Sequence, residues 1–331
     1  MNVHVTRADL PQKELCCMVL PRKISPVTRW KSLMTVAILL QSEFKNPIRD
    51  TSSRVRIVTF FQTLRWGEYS LLALYISVIS GVLVALQYDS ATPFYSVSTM
   101  DLLVPFGAYF RSLHFYSSQL FFLFSICHLI AIFEETENFS RKKWVLLAFS
   151  IPVALLVLFT GYVLRADSTG YSAGMIAESI LLDIPLLGEN LNDLLFSITD
   201  NGMKRVYVNH IISFVLLWGW MVWSHVKKYK ISFERNLLLG FGILLFSLFI
   251  LAPFEPDHLG VTHIAGPWFF LGLQELLRYM PPLLAGVCFP LILFIALFFL
   301  QKKTRWYSLC LFVIIGWLLF YTVLTGIALN R

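Results

Sequence analysis

Four histidines stand inside stretches that are otherwise apolar: His114 and His128 in one, His210 and His225 in another. A neutral imidazole can bind a metal, donate or accept a hydrogen bond, or relay a proton. Spacing narrows the choice. His114 and His128 are 14 residues apart, about 21 Å along a helix and within about 40° of one face. His210 and His225 repeat the arrangement with a step of 15. Two parallel helices with histidines at two shared heights build two bis-imidazole sites, 114 with 210 and 128 with 225. Such a pair suits the iron of a b-type haem, which needs two axial ligands and an apolar slot. Zinc wants three or four ligands, and no cluster of carboxylates or thiolates stands at these heights. A histidine relay in a transporter is the alternative, but it has no need of matched heights and would bring more intramembrane carboxylates.

The elements that position these residues follow from composition. The 331 residues are 57% hydrophobic and only 14% charged, where a soluble domain carries about 25% charge. Apolar runs near the bilayer-spanning length of about 20 residues lie at 69–88, 112–133, 143–164, 206–226, 236–253, 283–300 and 306–327. The expected fold is therefore all-α and integral to a membrane, with seven transmembrane helices. Lys and Arg crowd residues 1–65, 141–143, 227–235 and 302–305, and are absent from 89–110 and 166–203. This alternation is the positive-inside pattern. It places the N-terminus in the cytoplasm and Arg331 outside, makes the second and fourth spans parallel, and accounts for the net charge of +7 without nucleic acid. The five cysteines form no CxxC and no CxxCH, so no covalent c-type haem belongs to this chain. Residues 1–60 read as a basic cytoplasmic extension, 61–230 as a dihaem four-helix bundle, and 231–331 as a three-helix domain.

Other residues join the histidines. Arg111 and Arg205 lie shortly before His114 and His210, where cationic partners for haem propionates are expected, although interfacial arginines also snorkel. Gly67 and Gly81 repeat the 14-residue step on the first span, and Gly161 lies on the third. Glycine there gives a flat macrocycle clearance, or simply close helix packing.

With these residues in place, the sequence resembles the cytochrome b family of the bc1 and b6f complexes, a cytochrome b6-like part fused to a subunit IV-like part. The resemblance rests on Trp66-Gly67, Gly81, Arg111-x-x-His114, His128, Trp144, Gly161-Tyr162-Val163-Leu164, Ile184-Pro185-x-x-Gly188, Arg205-x4-His210 and His225. It implies two b haems held by the four histidines, quinone as substrate, and an outer quinone site. It also implies partners: a Rieske iron–sulfur protein, a c-type or multihaem cytochrome, and a second copy of the complex as a homodimer. A prokaryotic inner membrane is the expected location.

The departures are specific. Where the family carries the PEWY glutamate, the segment Gly266-Pro267-Trp268-Phe269 has Pro267. Glu275 and Glu255 are the carboxylates expected to stand in, beside Tyr162, Trp268 and Phe269 as the aromatic slot. Interfacial aromatics also serve as anchors. Arg165-Ala166-Asp167 replaces the family's PWG, Leu147 a second glycine, and Arg65 stands where a b6f cysteine holds an extra haem. His258 and His263 lie in an outer loop. The missing glutamate leaves two functions open: a quinol–cytochrome c-type oxidoreductase with a relocated acid, or a quinol dehydrogenase without a Q cycle wired to multihaem cytochromes.

Overall fold

The computed structural model describes residues 61–200, 202–255, 266–301 and 304–330. The basic extension at 1–60 and both His258 and His263 lie outside the described residues. From Gln62 onward the described chain forms one compact unit.

The first helix, α1, runs Trp66–Ala85; a short α2, Pro93–Leu102, leads into the long α3, Gly107–Ala131. Ser70, Ala73, Ser77 and Ser80 recur at helical spacing on the buried face of α1, so its backbone can approach α3 closely. The Ser70 hydroxyl meets that of Ser125 at 2.8 Å. Helix α4, Arg141–Val163, starts at Ser140, whose Oγ accepts from the Lys143 N–H, and is half buried.

The segment between the third and fourth apolar runs is helical: α5, Ser168–Leu182, is followed by α6, Gly188–Leu195. Asp167 caps α5 by accepting the Gly170 N–H at 2.9 Å. The fourth apolar segment is α7, Met203–Val208, a π-helical turn at Asn209–Ser213, and α8, Phe214–Val226. Beyond it lie α9, Phe233–Phe249, a short α10, Leu271–Leu276, a π-helical turn at Leu283–Cys288 leading into α11, Phe289–Phe299, and α12, Tyr307–Leu329.

Five of these segments are long and apolar enough to cross a membrane: 66–85, 107–131, 141–163, 203–226 and 307–329. The other two expected spans are shorter. Helix α9 has 17 residues, and Leu283–Phe299 is likewise a shorter apolar helix.

Three apolar clusters tie the bundle together. Ala73, Leu113 and Ile243 join α1, α3 and α9. Val153, Phe214 and Met221 join α4 to α8. Trp144, Ala148, Ala296, Leu300 and Cys310 join α4 to α11 and α12. Helix α4 thus contacts both the histidine-bearing half and the C-terminal helices.

Candidate functional site

The paired histidines meet as their spacing requires. The ring centroids of His114 and His210 are 6.2 Å apart, and those of His128 and His225 are 5.9 Å apart. Two imidazoles that each place a nitrogen about 2 Å from one metal ion have centroids roughly 6 Å apart. The His114 Nδ1 lies 2.8 Å from the Ser77 carbonyl oxygen, and the His210 Nδ1 lies 3.1 Å from that of Val157. A carbonyl only accepts, so each Nδ1 carries the proton and donates. Nε2 is left as the lone-pair nitrogen, the tautomer of a metal-ligating histidine with its second ring nitrogen anchored.

The step of 15 between His210 and His225 has a local cause. His210 sits in the π-helical turn Asn209–Ser213. A π turn holds one residue more than an α turn, so the extra residue is absorbed beside the histidine.

The glycines serve the imidazoles directly. A Cβ on Gly81 would lie 2.8 Å from both Cε1 and Nδ1 of His114; on Gly67, 3.0 Å from His128 Cε1; on Gly161, 2.9 Å from His210 Cε1. The clearance these three glycines give is next to the histidine rings themselves. The equal 14-residue steps on α1 and α3 arise because the two helices run antiparallel, which lays each glycine against one ring. His128 and His225 also line an apolar cavity with Trp144, Leu147, Phe139 and Trp218. Trp144 is buried and its indole N–H donates to the Phe298 carbonyl at 3.1 Å. Leu147, in place of a glycine, narrows this cavity from the α4 side.

Among the described residues no three His, Cys, Asp or Glu side chains come together as a metal site. A metal between either imidazole pair finds no further ligand among the described residues, and an iron within a macrocycle needs none. The residues therefore fit a haem at each level.

The arginines differ from each other. Arg111 is buried and gripped by Asp101 at 2.7 and 2.6 Å, with the Ala252 carbonyl at 2.9 Å. The guanidinium expected beside a propionate is already paired with a carboxylate of the chain. Arg205 is exposed.

The five residues expected to form an outer quinone site have different surroundings, although Trp268 and Phe269 pack edge to face with centroids 5.4 Å apart and Tyr162 is within electrostatic reach of Glu255. Trp268 is half exposed, its indole donating to Gln119 at 2.8 Å. Phe269 is buried in the apolar cluster with Phe159, Phe196 and Val206. The Tyr162 ring lies under the Arg165 guanidinium, 4.6 Å away. Glu255 is exposed and accepts from Ser168 at 3.2 Å. Only Glu275 is a buried carboxylate among them; it accepts from Arg278 Nε at 3.3 Å and from the Tyr279 hydroxyl at 2.9 Å. Arg165 and Asp167 form a buried ion pair, and Asp167 also accepts the Glu255 N–H at 3.0 Å. The segment that replaces PWG is thus a clasp between α5 and the strand of chain at 252–255.

A second cavity, of about 420 Å³, opens between α5 and residues 266–286, walled by Phe159, Ile180, Phe196, Phe270 and Leu273, with Gln274 and Arg278 as polar groups. None of Tyr162, Trp268, Phe269, Glu255 and Glu275 is in its lining. Sequence reasoning chose Phe269 and missed Phe270, Gln274 and Arg278. The signal was there: Pro267, Phe270, Gln274 and Arg278 recur at helical spacing and line one face.

A family model described as cytochrome b/b6/petB matches residues 51–229, a stretch that holds all four histidines. The chain belongs to the cytochrome b/b6 family. It is 26% identical over 312 residues to the cytochrome b of Caenorhabditis elegans, covering 81% of this chain and 82% of that one. It is 29% identical over 155 residues to the cytochrome b6 of Heliomicrobium gestii, covering 44% of this chain and 72% of that one. The fold matches a chain of a solved "Hyperthermophilic respiratory Complex III" with a TM-score of 0.58 at 22% identity, covering 80% of this chain and 82% of that one. The family likeness thus extends past the histidine-bearing half into the C-terminal helices.

Proposed function

We propose that this chain is the dihaem cytochrome b subunit of a membrane quinol/quinone oxidoreductase complex, passing electrons across the membrane between a quinone pool and partner redox proteins. The observation that carries the reading is the pair of bis-imidazole sites, with centroids 6.2 and 5.9 Å apart and glycines laid against three of the four rings. His114 and His210 would hold one b haem, His128 and His225 the other. A bound haem supplies a one-electron carrier whose potential the axial ligands and burial tune. The chain's own part is to hold each imidazole. The carbonyls of Ser77 and Val157 fix the rings and make the ligating nitrogens more basic, while Gly67, Gly81 and Gly161 let the rings sit close to neighbouring helices.

On this reading residues 61–230 are the haem-bearing bundle and 231–331 complete the quinone-binding side. The two 17-residue segments would complete seven spans, since about 17 residues is the lower limit for crossing. The charge pattern supports an N-terminus in the cytoplasm and Arg331 outside, with a prokaryotic inner membrane as the proposed location. Kinship with cytochromes b supports a Rieske protein or c-type cytochromes as partners and a dimeric complex. The cavity at 266–286 is the candidate quinone site, and Pro267 denies it the usual glutamate.

The reading is tested by purifying the complex from membranes under mild detergent and adding a short-chain quinol. Reduction of a b-type absorbance band by the quinol, and copurification of an iron–sulfur or c-type subunit, is the expected result. A coloured preparation that no quinol reduces would refute the quinone part.

A further inference from the structure

The cavity walled by α5 and residues 266–286 has one charged group in its lining, Arg278. The rest is mostly apolar, and the fit is tight at the far wall: a Cβ on Gly286 would lie 2.6 Å from Ile180. A cation at the edge of such a cavity needs a reason, because desolvating it is costly unless it is paired. Part of the reason is Glu275. Its carboxylate is 2% exposed and takes the Nε edge of Arg278, while the arginine side chain itself remains 44% exposed. The Tyr279 hydroxyl donates to the same carboxylate. Glu275, itself held by the Tyr279 hydroxyl, thus pairs with one edge of the guanidinium. A guanidinium carries five N–H donors in a planar fork, and Arg278 lines the cavity, so donors beyond Nε remain to meet a ligand there.

We propose that Arg278 is the polar anchor of this cavity, donating to an acceptor oxygen at the head of an apolar-tailed ligand. The ligand is a quinone bound through a ring carbonyl, which rests on the function proposed above. Glu275 is the positioning residue that aims the guanidinium. The missing acid at Pro267 then has a counterpart: this chain meets the ligand's oxygen with a braced cation 11 residues further on, on the same face. A phospholipid offers the same chemistry through an ester or phosphate oxygen, and the experiment separates the two.

The purified complex in detergent is titrated with a decyl-benzoquinone carrying ¹³C at its ring carbonyls, and the bound carbonyl stretch is read by infrared difference spectroscopy. Copurified phospholipid is counted in parallel. Arg278→Gln, Arg278→Lys, Glu275→Gln and the cavity-filling Ile180→Trp are compared with wild type. A hydrogen bond from a charged donor corresponds to roughly a 10- to 100-fold change in affinity. Arg278→Gln is therefore expected to weaken quinone binding by about that factor and to abolish the downshift of the carbonyl band. Arg278→Lys keeps part of the downshift, and Glu275→Gln broadens the band with a smaller loss of affinity.

Quinone that Ile180→Trp excludes but Arg278→Gln binds with wild-type affinity and an unchanged band overturns the anchor and leaves the quinone reading standing. No quinone binding to wild type, with phospholipid lost in Arg278→Gln, keeps the anchor and refutes the quinone. No quinone binding and unchanged lipid overturns both. Should Arg278→Gln fail to assemble, Arg278→Lys decides, since a band identical to wild type overturns the proposal.

Discussion

Gly81→Ala is the smallest change that tests the site. Its Cβ would stand 2.8 Å from both Cε1 and Nδ1 of His114, whereas carbon contacts settle near about 3.5 Å. The imidazole must retreat by roughly 0.7 Å, against the 2.8 Å hydrogen bond that ties its Nδ1 to Ser77. Overpacking of this kind costs about 1–3 kcal/mol, and losing the hydrogen bond costs about 1 kcal/mol more. Together these correspond to between one and three orders of magnitude in the affinity of the His114/His210 site. Gly219→Ala is the matched control, since a Cβ there meets nothing within 4 Å although it lies between His210 and His225. The assay is haem per chain by pyridine haemochrome together with a redox titration. Gly81→Ala should lose or strongly shift one redox component and keep the other, with Gly219→Ala unchanged. Gly67→Ala should affect the opposite component, more mildly, because its Cβ stands 3.0 Å from His128. If Gly81→Ala and Gly219→Ala behave alike, the clearance argument is wrong.

Asp101→Ala strips the buried Arg111 of its bidentate carboxylate and should destabilise the protein by about 3–5 kcal/mol, read as a lower melting temperature in detergent. Glu178 is buried and accepts from Asn192, from the Thr199 N–H and from the Thr199 hydroxyl. Glu178→Ala leaves those donors without an acceptor and should cost about 2–4 kcal/mol, measured the same way. Thr160→Val removes the hydroxyl 3.1 Å from His210 Nδ1 but keeps the Val157 carbonyl. Haem content should hold while the midpoint potential of that site alone moves.

The sequence disclosed the histidine pairs because helical rise and rotation are fixed, so a 14-residue step reports both depth and face. What it could not disclose was local irregularity. The 15-residue step between His210 and His225 has its structural basis in a π turn at His210, which no periodicity announces. The glycine step was visible, but only the antiparallel register of α1 and α3 shows that each glycine lies against an imidazole ring. The outer site was least legible. Trp268 and Phe269 were chosen by analogy with a motif, but the chain turns at Pro267 so that Phe270 faces the cavity and Phe269 faces the core. The lack of Lys and Arg at 166–203 reports topology and not backbone conformation, so the helices there were not announced. The Glu178 acceptor network in this stretch is a tertiary feature, with partners up to 21 residues away.

The central claim is two haem sites built from four histidines. It is tested most directly by the haem-to-chain ratio of the purified protein, measured by pyridine haemochrome in wild type, His114→Ala and His128→Ala. The expected result is two b haems per chain in wild type and one in each variant, with a different redox component lost each time. A wild-type protein that remains colourless when produced with ample haem would contradict the claim and return the four histidines to a proton-relay role.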